Sequence, residues 1–201
     1  SGTFNAEYGR AMSGIINMVT KDGNNDFEGS VKTFIGDHVS GDLIYRNLNH
    51  YYPLNHKNME VQFSGPIIKD KLTFFLSGRN YNSNGWLSGL NTFNMYGDTL
   101  DIIEYKPMNW LDKWSLQSKI TYRLSPKTKI KFKFITNQET SQGYDHYRQL
   151  VQEGRATQYK RGNFLGLNFS HVFSSRAFMD FNISEHSKQY ESYLFEDIHD
   201  P

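Results

Sequence analysis

Ser115-Leu116-Gln117-Ser118-Lys119-Ile120-Thr121-Tyr122-Arg123-Leu124 decides the fold. Its even positions carry Leu116, Ile120, Tyr122 and Leu124, and its odd positions carry only polar or charged residues. Side chains alternate across a strand, so this stretch is a strand with one apolar and one wet face. Ser125-Pro126-Lys127 follows as a short turn, with proline fixing φ. The alternation then resumes, with Ile130, Phe132 and Phe134 set against Lys129, Lys131 and Lys133. A period of 3.6 residues fits neither stretch, so the two make a hairpin.

The same construction recurs outward from this hairpin. Met59, Val61 and Phe63 alternate with Glu60, Gln62 and Ser64, and a turn leads into Leu72 to Tyr81, rich in strand formers. Leu165, Leu167 and Phe169 alternate with polar residues, and a turn at Ser174-Ser175 leads into Ala177, Met179, Phe181 and Ile183. The reading gives seven strands, at about 27–35, 59–66, 72–81, 115–124, 128–137, 163–173 and 176–188. Short connections (67–71, 125–127, 174–175) alternate strictly with long ones (36–58, 82–113, 138–160). An up-and-down barrel in an outer membrane has this rhythm, with short periplasmic turns and long external loops. Long loops in a compact domain are usually functional. A soluble β-sandwich with recognition loops is the alternative, but its turns would mix lengths without strict alternation.

Composition narrows the class. The chain has 201 residues, with 22 Lys plus Arg against 21 Asp plus Glu. That balance removes the basic excess expected of a nucleic-acid binder. Cysteine is absent, which excludes disulfide scaffolds, Cys-zinc sites and thiol catalysis. No apolar run of about 18 residues exists, so a transmembrane helix is excluded, whereas a transmembrane barrel needs only alternation. Seven strands do not close a bacterial barrel, and lipid does not tolerate open edges. This count, with a start that lacks Met, leads to the expectation of a fragment.

Residues 1–30 break the rhythm. They include Asn5-Ala6-Glu7-Tyr8-Gly9-Arg10, then Ser13-Gly14-Ile15-Ile16-Asn17, then Val19-Thr20-Lys21 with a turn at Asp22-Gly23-Asn24-Asn25, then Phe27-Glu28-Gly29-Ser30. This stretch resembles the end of the plug domain of TonB-dependent outer-membrane receptors. Gly65-Pro66-Ile67-Ile68-Lys69-Asp70-Lys71-Leu72-Thr73-Phe74-Phe75 is similar to the first periplasmic turn and following strand of the same family, particularly members with a carboxypeptidase-regulatory-like N-terminal domain. The matched motifs cover about a fifth of the chain.

The resemblance implies a plug inside a 22-strand barrel, with residues 1–25 ending the plug and 26–201 forming the N-terminal part of an antiparallel up-and-down barrel. It implies active import of a scarce large nutrient (siderophore, cobalamin, glycan or peptide) with energy from the TonB complex. That complex would be engaged through a plug region that precedes this sequence. The expected location is the bacterial outer membrane, with its lipid as a partner, no enzymatic activity, no cofactor and no nucleic acid. Glu7, Tyr8, Gly9, Arg10, Gly14, Asn17, Thr20 and Lys21 would be structural plug-motif residues, and Glu7 and Arg10 would make ionic contacts with the barrel wall. Gly65, Pro66, Lys69 and Asp70 would form the first periplasmic turn.

In a barrel the apolar positions face lipid, so Lys119, Arg123, Lys129, Lys131 and Lys133 form a basic stripe facing the lumen. A lysine or arginine turned to lipid would cost roughly 2–4 kcal/mol at the midplane. The stripe could guide an anionic substrate, but pairing with plug carboxylates is the preferred account, because buried charge needs partners. Tyr51, Tyr52, Trp86, Trp110, Tyr144 and Tyr147 in the long loops are candidate ligand contacts that can stack on rings, against the plainer role of packing the loops together. Trp114 reads as an interface anchor, and Tyr122 as part of an aromatic girdle.

Asp22-x-Asn24-x-Asp26 opens like a calcium loop, but Phe27 and Thr33 stand where glycine and glutamate are required, so it reads as a turn. Asp37, His38, Asp42, His50 and His56 share one loop without a spacing that fixes coordination, so no metal site is expected. Gly-x-Ser-x-Gly, His-Glu-x-x-His and phosphate-loop motifs are absent. His171 falls on the apolar face of its strand and reads as an interface histidine.

Overall fold

The structure is a computed structural model that describes residues 21–197. The described chain is all-β. Its strands are β1 (Glu28–Gly36), β2 (His56–Ile68), β3 (Leu72–Ser83), β4 (Ser88–Phe93), β5 (Thr99–Pro107), β6 (Leu111–Ser125), β7 (Thr128–Ser141), β8 (Thr157–Ser174) and β9 (Ala177–Tyr193). Seven of them form one antiparallel sheet in the order β1-β2-β3-β6-β7-β8-β9, and β4 and β5 pair separately. Each main strand lies beside its sequence neighbour, so the sheet is an up-and-down meander. Residues of the plug motif before Lys21 lie outside the described residues.

Register turns the sequence alternation into two faces. Phe74, Ile120, Phe132, Leu167 and Ile183 stand opposite one another in a row across five strands. The adjacent row on the other face runs Thr73, Thr121, Lys131, Asn168 and Asn182. Over β3, β6 and β7 the polar face is the more covered of the two. Ile120 is 40% exposed and Phe132 42%, whereas Lys119 is 7% exposed and Thr121 1%. Among the described residues, the buried hydrophobic side chains are only Leu48, Phe75 and Met108. Hydrophobic burial is the main driving force of folding in water, and so small a core does not account for a seven-stranded sheet.

The segment 82–113, expected as a loop, contains the β4–β5 ribbon. Its turn is built by Asn94, whose side-chain oxygen accepts the amides of Tyr96 and Asp98 at 2.9 Å each, and by Gly97 at φ +92°. Several main strands also run past their expected ends: β2 begins at His56, β8 at Thr157, and β9 reaches Tyr193. In those outer portions tyrosines and polar residues replace the aliphatic side chains, so binary alternation fades while backbone pairing continues. The segment 138–160 holds the end of β7 and two single 3-10 turns, His146–Arg148 and Gln152–Gly154.

Candidate functional site

The inner face is organised by the coil before β1. Asp22 reaches across β3 to the basic stripe, where its carboxylate bonds Lys119 and lies 3.1 Å from Lys131 Nζ. Burial alone would raise the Asp22 carboxyl, but hydrogen bonds and charge from the two ammonium groups outweigh it and hold the group below its ordinary range. Gly23 then passes against the β3 backbone. A Cβ there would stand 2.9 Å from Phe74 N and 2.8 Å from its carbonyl carbon, so only glycine permits the approach. Asn25 closes the crossing: its amide donates to Asp70 Oδ1 at 2.5 Å, and its oxygen accepts the Asp70 amide at 3.0 Å. Lys21 pairs with Glu28 at 2.5 Å. The Asp22-x-Asn24-x-Asp26 stretch thus spends its first carboxylate on lysines.

Asp70 sits in the β2–β3 turn with φ +62°, a left-handed conformation that asparagine and aspartate tolerate. Gly65 leaves room for the Phe27 ring, and Pro66 lies at a register shift of the β2–β3 ladder. Phe27 stacks on Phe63 at 5.9 Å between centroids, and Phe63 meets Phe74 at 5.3 Å. At the turn end of β8, His171 packs between Phe169 and Phe173 and bonds Thr128 Oγ1 at 2.9 Å. Tyr122 lies on this face, so aromatic rings gather on the apolar side near the short turns.

The remaining stripe residues follow the register. Arg123 stands opposite Lys129, and Lys133 lies over the Phe164 ring at 5.5 Å. Farther toward the long loops the same face carries Glu139 between Lys113 at 3.3 Å and Lys160 at 2.9 Å, which are its partners on the two neighbouring strands.

The long connections pack into a head. Arg155 is buried and its guanidinium donates to four acceptors: the carbonyls of Met108, Gly143 and Pro107 and the side-chain oxygen of Gln142. It thereby ties the segment after β7 to the end of β5. Asn91 of β4, 1% exposed, accepts the Gln152 amide at 2.9 Å, and the amides of Thr92 and Phe93 donate to the Leu150 carbonyl.

Of the candidate ligand aromatics, Trp86 and Tyr144 line one cleft of about 200 Å³ together with Tyr45, where three loops meet. Tyr45 and Trp86 are 6.1 Å apart in an edge-to-face pair. Tyr52 lines a neighbouring cleft of about 510 Å³. Tyr51 and Tyr147 project from the surface without joining either cleft, Tyr147 being 97% exposed. Trp110 donates its indole N–H to Gln142 at 2.9 Å and so helps hold the head together. Trp114, on the apolar side, donates to Gln138 at 3.0 Å.

Arg155, Asn91 and Tyr45 were not legible as site residues, because each acts through partners distant in sequence. Among the described residues no group of three or more His, Asp or Glu side chains converges as a metal cluster. No family model, curated protein or solved structure matches the chain.

Proposed function

We propose that the chain is the end of a plug and the first seven barrel strands of a TonB-dependent outer-membrane transporter. One observation carries the reading: over β2, β3, β6 and β7 the apolar face is the more exposed one and the polar, basic face the more covered one. Such a sheet suits lipid outside and a polar lumen filled by a plug. On β6 the outward row from Trp114 to Leu124 extends roughly 33 Å along the strand at about 3.3 Å per residue, or roughly 25 Å at a tilt of about 40°. That is the height of a barrel's lipid-facing band. The Asp22 crossing supports a plug segment held on the wall by lysines. The free edges of β1 and β9 would pair with further strands, since lipid tolerates none unpaired.

In this mechanism the loop head captures a large nutrient between aromatic side chains, and the plug then rearranges under TonB pull. The protein forms no covalent intermediate. A soluble β-sandwich is disfavoured because the described residues provide no second sheet layer over the apolar face.

The test is fractionation of the source bacterium with an antibody to residues 82–113. The reading expects a band several times larger than this chain in the outer-membrane fraction, with mobility that changes on heating. A soluble band of the chain's own size would overturn it.

A further inference from the structure

The loop after β1 brings two imidazoles together. The rings of His38 and His56 lie 4.5 Å apart between centroids, with planes at 87°. His38 is exposed, whereas His56, the first residue of β2, is only 8% exposed. His56 Nδ1 lies 2.8 Å from the hydroxyl of Ser83, its register partner on β3. Ser83 Oγ also accepts the Gly85 amide at 3.1 Å. His56 Nε2 is buried and has no hydrogen-bond partner.

A buried polar atom without a partner is costly and calls for an explanation. In the tautomer that carries its proton on Nδ1 and donates it to Ser83, the lone pair lies on Nε2, the neutral form that ligates metals, and the hydroxyl then plays the orienting part that outer-shell groups play at metal sites. Asp37 is already engaged: it accepts the His38 amide at 2.8 Å, the Asn55 side chain at 2.6 Å and the Tyr52 amide at 2.7 Å. It shapes the loop and leaves a negative charge beside His38.

We propose that His38 and His56 form a two-imidazole site for a divalent transition-metal ion, with Ser83 positioning His56 and water completing the shell. Imidazole suits copper, zinc and nickel, whereas magnesium and calcium take oxygen ligands, and Cu²⁺ binds most tightly in the divalent series. Two imidazoles in adjacent positions of a tetragonal Cu²⁺ ion, each bonded at about 2.0 Å, place their centroids about 4.5 Å apart, the spacing here. Rotation of the exposed His38 brings a ring nitrogen to the ion. Bound metal ties the 37–55 loop to the β2–β3 end of the sheet. With only two protein ligands the ion exchanges readily. The site stands whether or not the chain works in transport.

The test uses the full-length protein in detergent, untagged and stripped of metal, titrated with CuCl₂ by calorimetry and electron paramagnetic resonance. The expected result is one site with two nitrogen ligands. His38→Ala and His56→Gln each weaken it by at least about tenfold, and Ser83→Ala weakens it roughly tenfold to a hundredfold, the usual effect of losing an outer-shell partner. His146→Ala leaves it unchanged, and excess MgCl₂ does not compete. His38 is exposed, so His38→Ala melts like the parent in EDTA. Undetectable Cu²⁺ binding, or equal binding by the parent and His38→Ala, would overturn the proposal.

Discussion

Asp22 Oδ2 stands 3.1 Å from Lys131 Nζ, so a residue of the coil before the first strand is bound to the fifth strand of the sheet. The same carboxylate bonds Lys119, whose side chain is nearly buried. Asp22→Asn removes the carboxylate that the two ammonium groups share. The expected cost is on the order of 1–3 kcal/mol, taken at the lower end because Asp22 is partly open to solvent. It is read as a lower denaturant midpoint and faster proteolysis near residues 21–26. An unchanged midpoint with unchanged proteolysis would contradict the role given to this carboxylate.

The same contact predicts a pH dependence. The folded Asp22 carboxyl is held below its unfolded value, so its contribution is fully present above the ordinary aspartate value of about 4. It is lost as pH falls through the folded value. Protection of the 21–26 segment is therefore expected to be flat from neutral pH down to about 5 and to fall below about 4. Asp22→Asn removes the part of that fall due to this group. A loss centred near pH 6 would point to a histidine instead.

Two glycines separate backbone from side-chain crowding. Gly23→Ala drives a methyl into the Phe74 backbone, which a paired strand cannot yield, and is expected to cost about 1–3 kcal/mol. Gly65→Ala first meets the Phe27 ring, which is largely exposed and can turn away, so it is expected to cost less. Thermal melts of both variants check the order. The reverse order would mean that the coil is not pressed against β3.

Arg155 holds the loop head through carbonyl oxygens and one amide, a fan of bonds that lysine cannot reproduce. Arg155→Lys and Arg155→Ala are both expected to speed proteolysis of the 142–156 and 84–110 segments while leaving the sheet folded. Proteolysis of Arg155→Lys at the parent rate would show that charge alone suffices there.

Five of the seven main strands were readable because each has a half whose apolar and polar residues alternate, as Ile130, Phe132 and Phe134 do against three lysines, whereas Leu72 to Tyr81 was read from its strand formers, Phe74, Phe75 and Tyr81. The β4–β5 ribbon was harder. Its residues 99–107 run Leu100, Asp101, Ile102, Ile103, Glu104 without a period of two, so only the Asn94-to-Asp98 turn with Gly97 marked it. The extra length of β8 was hidden because Tyr159, Lys160 and Arg161 are amphipathic or charged in succession. The pairing of Asp22 with lysines was readable as a type of contact, since a basic stripe needs counter-charge. Which carboxylate would supply it was not, because the crossing depends on Gly23 and on the Asn25–Asp70 staple.

The central claim is that the apolar face meets lipid, and since these 201 residues hold no cysteine, single labels can be placed among them in a full-length protein whose other cysteines, where present, are replaced. Single cysteines placed in turn at Leu116 to Leu124 and spin-labelled in reconstituted full-length protein would report contact with oxygen in lipid and with a water-soluble nickel complex. The account predicts a period of two, with oxygen contact highest at Leu116, Ser118, Ile120 and Tyr122 and low at Gln117, Lys119 and Thr121. High nickel contact at Ile120 and Tyr122, or no period of two, would contradict it.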